Sequence, residues 1–267
     1  MQKKKIEIIY ADDDIFVINK PSGLSVTKNR TGLAQLTDIL TEQLGSKIAG
    51  QLRLVHRLDK DTSGVMILAR NKETQSMFSS YFEKGLIEKT YLTLVTGIVP
   101  ALQGTISTPI ARNPKNPALM CVAVKKGKKA ITEWKLLADF GIIALLAVNP
   151  LTGRTHQIRI HLPNVGLAFL IDPLYGNSRP FFLSDFKSDY RLGKGKTEKP
   201  LIDRLTLHAY QIESPIPEQA YPDCFIARLD KKFAATIKML TKYNPKGLDA
   251  FLDPDDFSKI INARKLD

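Results

Sequence analysis

The chain of 267 residues is long enough to bury a sizeable core, as one large domain or two small ones. With 43% hydrophobic and 25% charged residues it has the composition of an ordinary soluble globular protein, and it carries no repeat or low-complexity segment. Thirty-nine Lys and Arg against 27 Asp and Glu leave a net charge of +12 and a pI near 9.6, which suggests a polyanionic partner.

The basic start MQKKKIEIIYADDD offers only a few apolar residues before Asp12-Asp13-Asp14, too few for the h-region of a secretory signal. Ile6 to Tyr10 and Ile15 to Asn19 read as two short strands around that acidic turn, and Lys20-Pro21-Ser22-Gly23 breaks the second. Thr31 can cap a helix running to about Leu44, because Leu33, Leu36, Leu40 and Leu44 share a face and Gly45 supplies a stop. Val65 to Ala69 is an apolar run of buried-strand length. The spacing predicts a second helix over Lys72 to Lys84, with Met77, Phe78, Tyr81 and Phe82 inward and Gly85 at its end.

Tyr91 to Thr96, Thr105 to Ile110, Leu119 to Val124, Ala130 to Leu137 and Ile142 to Val148 read as strands separated by Gly, Pro and Asn. The last is the longest apolar run and is far below membrane-spanning length, so a soluble, cytoplasmic protein without membrane contact is expected. Thr155 to Leu162 predicts a short helix stopped by Pro163. Helical patterns return at Lys231 to Tyr243 and Pro254 to Ala263, the second with Asp253 as cap. Strands grouped in one region with helices before and after argue for an α+β fold, not strict βαβ alternation. Cys121 and Cys224 form no C-x-x-C pair, so two reduced thiols are expected, with neither a zinc ribbon nor a disulfide framework.

One stretch carries chemistry: LVHRLDKDTSGVMILAR, Leu54 to Arg70, where Asp59 stands between His56-Arg57 and a Thr62-Ser63-Gly64 turn. By itself Asp59 equally fits a turn cap. HRLDKDTSG, however, resembles the active-site signature of the RluA family of RNA pseudouridine synthases. KTYLTLVTG (Lys89 to Gly97), GRTHQIRIH (Gly153 to His161), DPLYG (Asp172 to Gly176) and LHA (Leu207 to Ala209) follow in the family's order. Two departures stand out: Ser25-Val26-Thr27 follows KPSGL where the family commonly has Val-His, and Ile171 stands where a glycine usually precedes Asp172-Pro173.

The resemblance implies a pseudouridine-synthase-like fold, a largely antiparallel mixed sheet with flanking helices and a central cleft. It implies isomerisation of specific uridines in structured rRNA or tRNA, with Asp59 as nucleophile or base. Attack at C1′, addition at C6 and removal of the C2′ proton all remain open. A carboxylate taken out of water tends toward its neutral form, and a guanidinium beside it opposes that. By position in GRTHQIRIH, Arg159 resembles the family's partner for the aspartate. Tyr91 takes the place of the aromatic that stacks on the target base. Arg57 is the residue expected to enter RNA when the uridine flips out; His56 either touches RNA or supports the loop from beneath, Lys89 serves pocket electrostatics or a sugar-phosphate contact, and Arg154, His156 and Gln157 orient their segment or touch RNA. Lys125, Lys126, Lys128 and Lys129 are candidates for phosphate contact.

An internal rearrangement needs no cofactor. No metal is expected either, since His156 and His161 are five apart and no H-E-x-x-H accompanies them. The expected organisation is a catalytic domain over 1–230 without the family's small N-terminal S4 domain, a helical extension over 231–267 packed on it, and a monomer. The competing reading is a catalytically silent RNA-binding or RNA-folding protein on the same scaffold.

Overall fold

The computed structural model describes residues 5–26, 36–123, 125–193, 195–214 and 221–262. Strands β1 (Glu7–Ala11) and β2 (Ile15–Lys20) are followed by α1 (Leu36–Leu44), the single turn α2 (Ser46–Ala49) and β3 (Arg53–Leu54). β4 (Ser63–Ala69) leads into α3 (Lys72–Lys84) and β5 (Glu88–Thr96). Next come β6 (Gln103–Ile106), β7 (Ile110–Arg112), β8 (Met120–Val122), β9 (Thr132–Asp139), β10 (Ile143–Pro150), α4 (Gln157–Asn164) and β11 (Ala168–Phe169). β12 (Leu207–Glu213), β13 (Cys224–Ile226), α5 (Lys231–Tyr243) and α6 (Pro254–Asn262) complete the order. The fold is α+β, with mostly antiparallel strand pairing. Its elements fall into two compact units: residues up to Tyr91 with His208–Arg228, and Leu92–Leu207 with Leu229–Asn262.

In the first unit β1 pairs antiparallel with β2, β2 with β4 and β3 with β4, while β12 runs parallel to β4 and carries β13 on its other side. Every residue of β4 is buried, as a strand covered on both faces requires. Leu36 and Leu40 of α1 and Phe78 of α3 join Val17, Ile67, Ile212 and Phe225 in its core. α3 is bounded as its sequence predicts: the Asn71 side chain accepts from the Thr74 N–H at the start, and Gly85 takes a left-handed conformation at the end. The parallel pair His208↔Ser63 and Ala209↔Gly64 brings the backbones close. Gly64 has φ +119°, and a Cβ there would collide with the Ala209 carbonyl and lie 2.6 Å from its backbone nitrogen.

In the second unit β5, β10, β9 and β6 lie side by side, and β11 pairs with β5. β7 and β8 form a separate two-stranded hairpin. α5 starts at Asp230, whose carboxylate accepts from the Lys232 and Phe233 N–H groups, and buries Phe233, Ile237 and Leu240. The tail is stitched to β9 by the Leu252 N–H donating to Leu137 O (3.0 Å) and by Phe251 packed edge-on against Phe140. Asp253 caps α6, its carboxylate accepting from the Asp255 N–H (3.0 Å).

Several predicted boundaries need correction. The single strand Thr105 to Ile110 is two, β6 and β7, because Pro109 has no N–H to donate between them. α4 begins at Gln157, not Thr155, since His156 takes a left-handed conformation (φ 54°, ψ 20°) that no helix continues through. It also runs past Pro163, which lies in the last turn, where only one helical bond is lost. Thr27, Thr31, Leu33, Val124 and Ala263 lie outside the described residues.

Candidate active site

Asp59 is half-buried on the loop between β3 and β4, and its own carbonyl closes a turn with the Thr62 N–H (3.2 Å). The KPSG segment at the end of β2 clamps this turn from the neighbouring strand. Lys20 is fully buried, and its ammonium donates to the carbonyls of Lys60 (3.0 Å), Leu24 (3.0 Å) and Pro21 (3.2 Å). The three carbonyls match the three N–H donors of an ammonium. The Ser22 hydroxyl donates to Asp61 O (2.6 Å) and the Gly23 N–H to Lys60 O (3.0 Å). On the far side of the turn the buried Ser63 hydroxyl meets Nδ1 of His208 (2.9 Å), whose Nε2 meets the Ala227 carbonyl (3.0 Å). A carbonyl only accepts, so Nε2 of His208 carries the hydrogen.

Tyr91 belongs to the same unit as Asp59, and the two interact: burial first, and then the charge of Asp59, push the Tyr91 hydroxyl well above its usual range. Lys89 stands two positions earlier on β5, on the same face, and burial lowers its ammonium. His56 does not point outward. Its ring stacks on Phe82 (centroids 4.2 Å apart), and its Nε2 accepts from the Ile67 N–H (3.0 Å). Burial, and secondarily Lys89, lower the His56 pKa to about 3, so at neutral pH the ring is uncharged, with its hydrogen on Nδ1. These contacts tie the start of the Asp59 loop to β4 and α3. Arg57, next to Asp59, is exposed.

Arg159 lies in the second unit, on α4, and is only 2% exposed. Asp172 holds it in a two-point grip: Nε donates to Oδ2 (2.8 Å) and Nη2 to Oδ1 (2.6 Å). Burial would raise the Asp172 carboxyl, but the Arg159 bonds and charge and the N–H groups of Leu174 and Tyr175 outweigh it and hold it below the usual carboxylate range. The Tyr175 ring lies 5.2 Å from the Arg159 guanidinium carbon. Gln157 is turned into the protein. Its Oε1 accepts from Thr152 Oγ1 and the Arg154 N–H, and its Nε2 donates to Ile131 O and Thr132 Oγ1, which engages the whole amide inside the protein. Arg154 is exposed and donates through Nε to Lys129 O (3.0 Å), while His156 is half-buried with Nδ1 2.6 Å from the Tyr175 hydroxyl. His161 is buried between Thr132 Oγ1 and the Thr108 carbonyl.

The family model for RNA pseudouridylate synthase matches residues 14–164. An uncharacterised RNA pseudouridine synthase of Zymomonas mobilis is 35% identical over 231 residues, covering 84% of this chain and 89% of the relative. The chain belongs to the RNA pseudouridylate synthase family. The ribosomal large subunit pseudouridine synthase D of Borreliella burgdorferi is 33% identical over 238 residues, 85% of this chain. The same-named enzyme of Neisseria meningitidis serogroup B is 31% identical over 271 residues, 95% of this chain. The chain spans 66% and 69% of the lengths of these two relatives. Two solved structures share the fold of this pseudouridylate synthase family member. Human RNA Pseudouridylate Synthase Domain Containing 1 has a TM-score of 0.69 at 23% identity, covering 100% of this chain and 99% of its own. Human RNA Pseudouridylate Synthase Domain Containing 4 has a TM-score of 0.66 at 25% identity, covering 88% and 92%.

The family match includes Asp59, Tyr91 and Arg159 and ends before Asp172 and Tyr175. Those two, with Lys20, are the site residues that sequence reasoning passed over. DPLYG was legible as a motif, but nothing in its spacing marks Asp172 as the carboxylate that grips Arg159. Among the described residues no group of His, Cys, Asp and Glu is arranged to hold a metal ion, and no helix is long and apolar enough to cross a membrane. Cys121 and Cys224 are free, and burial, then Glu213 and Asp223, push the Cys224 thiol up to about 11, which keeps it protonated and unreactive.

Proposed function

We propose that this protein isomerises specific uridines of ribosomal RNA to pseudouridine, with structured tRNA as the second substrate class. The relatives named for the ribosomal large subunit direct the substrate choice. Asp59 is the catalytic carboxylate and opens the reaction as nucleophile or base; Arg159 is its cationic partner, and Tyr91 stacks on the target base. A stacked base gains roughly 1–3 kcal/mol from such a ring. Because C1′ of a uridine in a helix is out of reach, the nucleotide is flipped out, and the exposed Arg57 beside Asp59 fills the gap. The reaction breaks N1–C1′, turns the base and forms C5–C1′; no group enters or leaves, so neither cofactor nor metal is required. The protein acts as a cytoplasmic monomer.

The observation that supports this reading is that the charge of Asp59 acts on the Tyr91 hydroxyl within one compact unit, as expected of the one carboxylate and the one aromatic that the reaction requires. The direct test incubates the purified protein with unmodified large-subunit rRNA transcripts and maps pseudouridine by carbodiimide-dependent reverse-transcription stops. Stops at one or a few uridines are expected. No stop on rRNA or tRNA transcripts would favour the silent RNA-binding protein.

A further inference from the structure

Tyr175 meets Arg159, Met120, His156 and Asp172, all within the second unit. Its ring lies 5.2 Å from the Arg159 guanidinium carbon, a cation–π contact. Its hydroxyl accepts from the Met120 N–H of β8 at 2.9 Å. The same hydroxyl meets Nδ1 of His156 at 2.6 Å, and the His156 ring packs edge-on against it with centroids 5.4 Å apart. Its backbone N–H donates to Asp172 Oδ1, the oxygen that also accepts from Arg159 Nη2. The guanidinium is therefore gripped at two points by Asp172 and lies over the ring of a residue three positions on in the same turn.

Two further observations show that this arrangement is built. His156 is the one non-glycine residue with positive φ among the described residues, a conformation that costs about 1 kcal/mol and that its contact with Tyr175 helps to hold. The β7–β8 hairpin lies off the main sheet, and the stretch from Pro109 to Ala130 that contains it has six Lys and Arg and no Asp or Glu. Through Met120 this basic hairpin is hydrogen-bonded to the residue packed on Arg159.

We infer that Tyr175 is a positioning residue that fixes the Arg159 guanidinium for the isomerisation and ties it to the basic β7–β8 hairpin. The inference rests on the proposed synthase reaction. It assigns Tyr175 no contact with the reacting atoms: the ring packs against the guanidinium, and the hydroxyl joins that ring to the hairpin. When RNA phosphates load the hairpin, Met120, Tyr175 and Arg159 move or hold as one piece.

The test compares Tyr175→Phe, which keeps the ring and loses the hydroxyl, with Tyr175→Leu, which loses both. Tyr175→Leu is expected to lower kcat by roughly 10- to 100-fold, because small misplacements of a catalytic partner cost that much, with KM within about 3-fold of wild type. Tyr175→Phe is expected to fall between the two. The second readout needs no activity: the Arg159 side-chain Nε–H resonance of ¹⁵N-arginine-labelled protein, assigned with Arg159→Lys, should exchange faster with solvent in Tyr175→Leu. Unchanged kcat and unchanged Arg159 exchange in a folded Tyr175→Leu would overturn the inference, as would a rise in KM alone. Should Tyr175→Leu fail to fold, Tyr175→Phe decides by the same two readouts. A wild-type protein that modifies no RNA removes the synthase reading, and the Arg159 resonance then decides the role of Tyr175 by itself.

Discussion

At the scale of single residues, the site depends on charges held away from water. Asp172 grips at two points a guanidinium only 2% exposed, so Asp172→Asn, which breaks this buried ion pair, should cost about 3–5 kcal/mol of stability, measured by chemical denaturation. A loss below about 1 kcal/mol would mean that Arg159 has other support equal to Asp172. His56 gives a pH signature. The unfolded ring takes its proton near pH 6.5 and the folded ring resists until about 3, so between these values the unfolded state binds more protons. The His56 contribution is therefore complete above pH 6.5 and is lost progressively as pH falls from there toward 3. The urea midpoint should drop from pH 7.5 to pH 5 in wild type and drop less in His56→Gln; equal drops would contradict the assignment. Asp59, Tyr91 and Arg159 were legible as candidates because they lie inside distinctive motifs. Lys20, Asp172 and Tyr175 were not, because what defines them is a partner brought by folding: the Lys60 carbonyl 40 residues away for Lys20, and a guanidinium 13 residues away for Asp172.

At the scale of elements, the Asp59 turn is fixed by the strands around it. The parallel β4–β12 pair leaves no room for a side chain at Gly64, whose φ of +119° also disfavours one. Gly64→Ala should therefore cost on the order of 3 kcal/mol or prevent folding, and any folded variant should lose turnover through the displaced Asp59 loop. A variant of wild-type stability and activity would refute this account of the glycine. The motif's glycine could be read from the chain, but its reason could not, because Ala209 approaches it only after the chain has passed through Leu92–Leu207 of the second unit. Helices with a clear apolar face and end signals, α3 and α5, matched their sequence limits. α4 did not: His156 and Pro163 follow tertiary contacts in place of local propensity.

At the scale of the molecule, +12 on 267 residues supports an RNA affinity that weakens with salt as counterions return to the phosphates. Lys125, Lys126, Lys128 and Lys129 are all exposed. Replacing these four with Ala should flatten the slope of log affinity against log salt by roughly 0.7 for each phosphate they neutralise. An unchanged slope would assign them to a solvated tip. Asp59 carries the central claim, and the most direct test is pseudouridine formation by wild type and Asp59→Asn on the same transcript at saturating protein, with RNA binding measured in parallel. The amide keeps the shape but cannot act as nucleophile or base. The predicted result is full conversion by wild type and none by Asp59→Asn, with affinities within about 3-fold of each other, since an amide in place of a carboxylate leaves the phosphate contacts intact. Pseudouridine formed by Asp59→Asn at a substantial fraction of the wild-type rate would contradict the account.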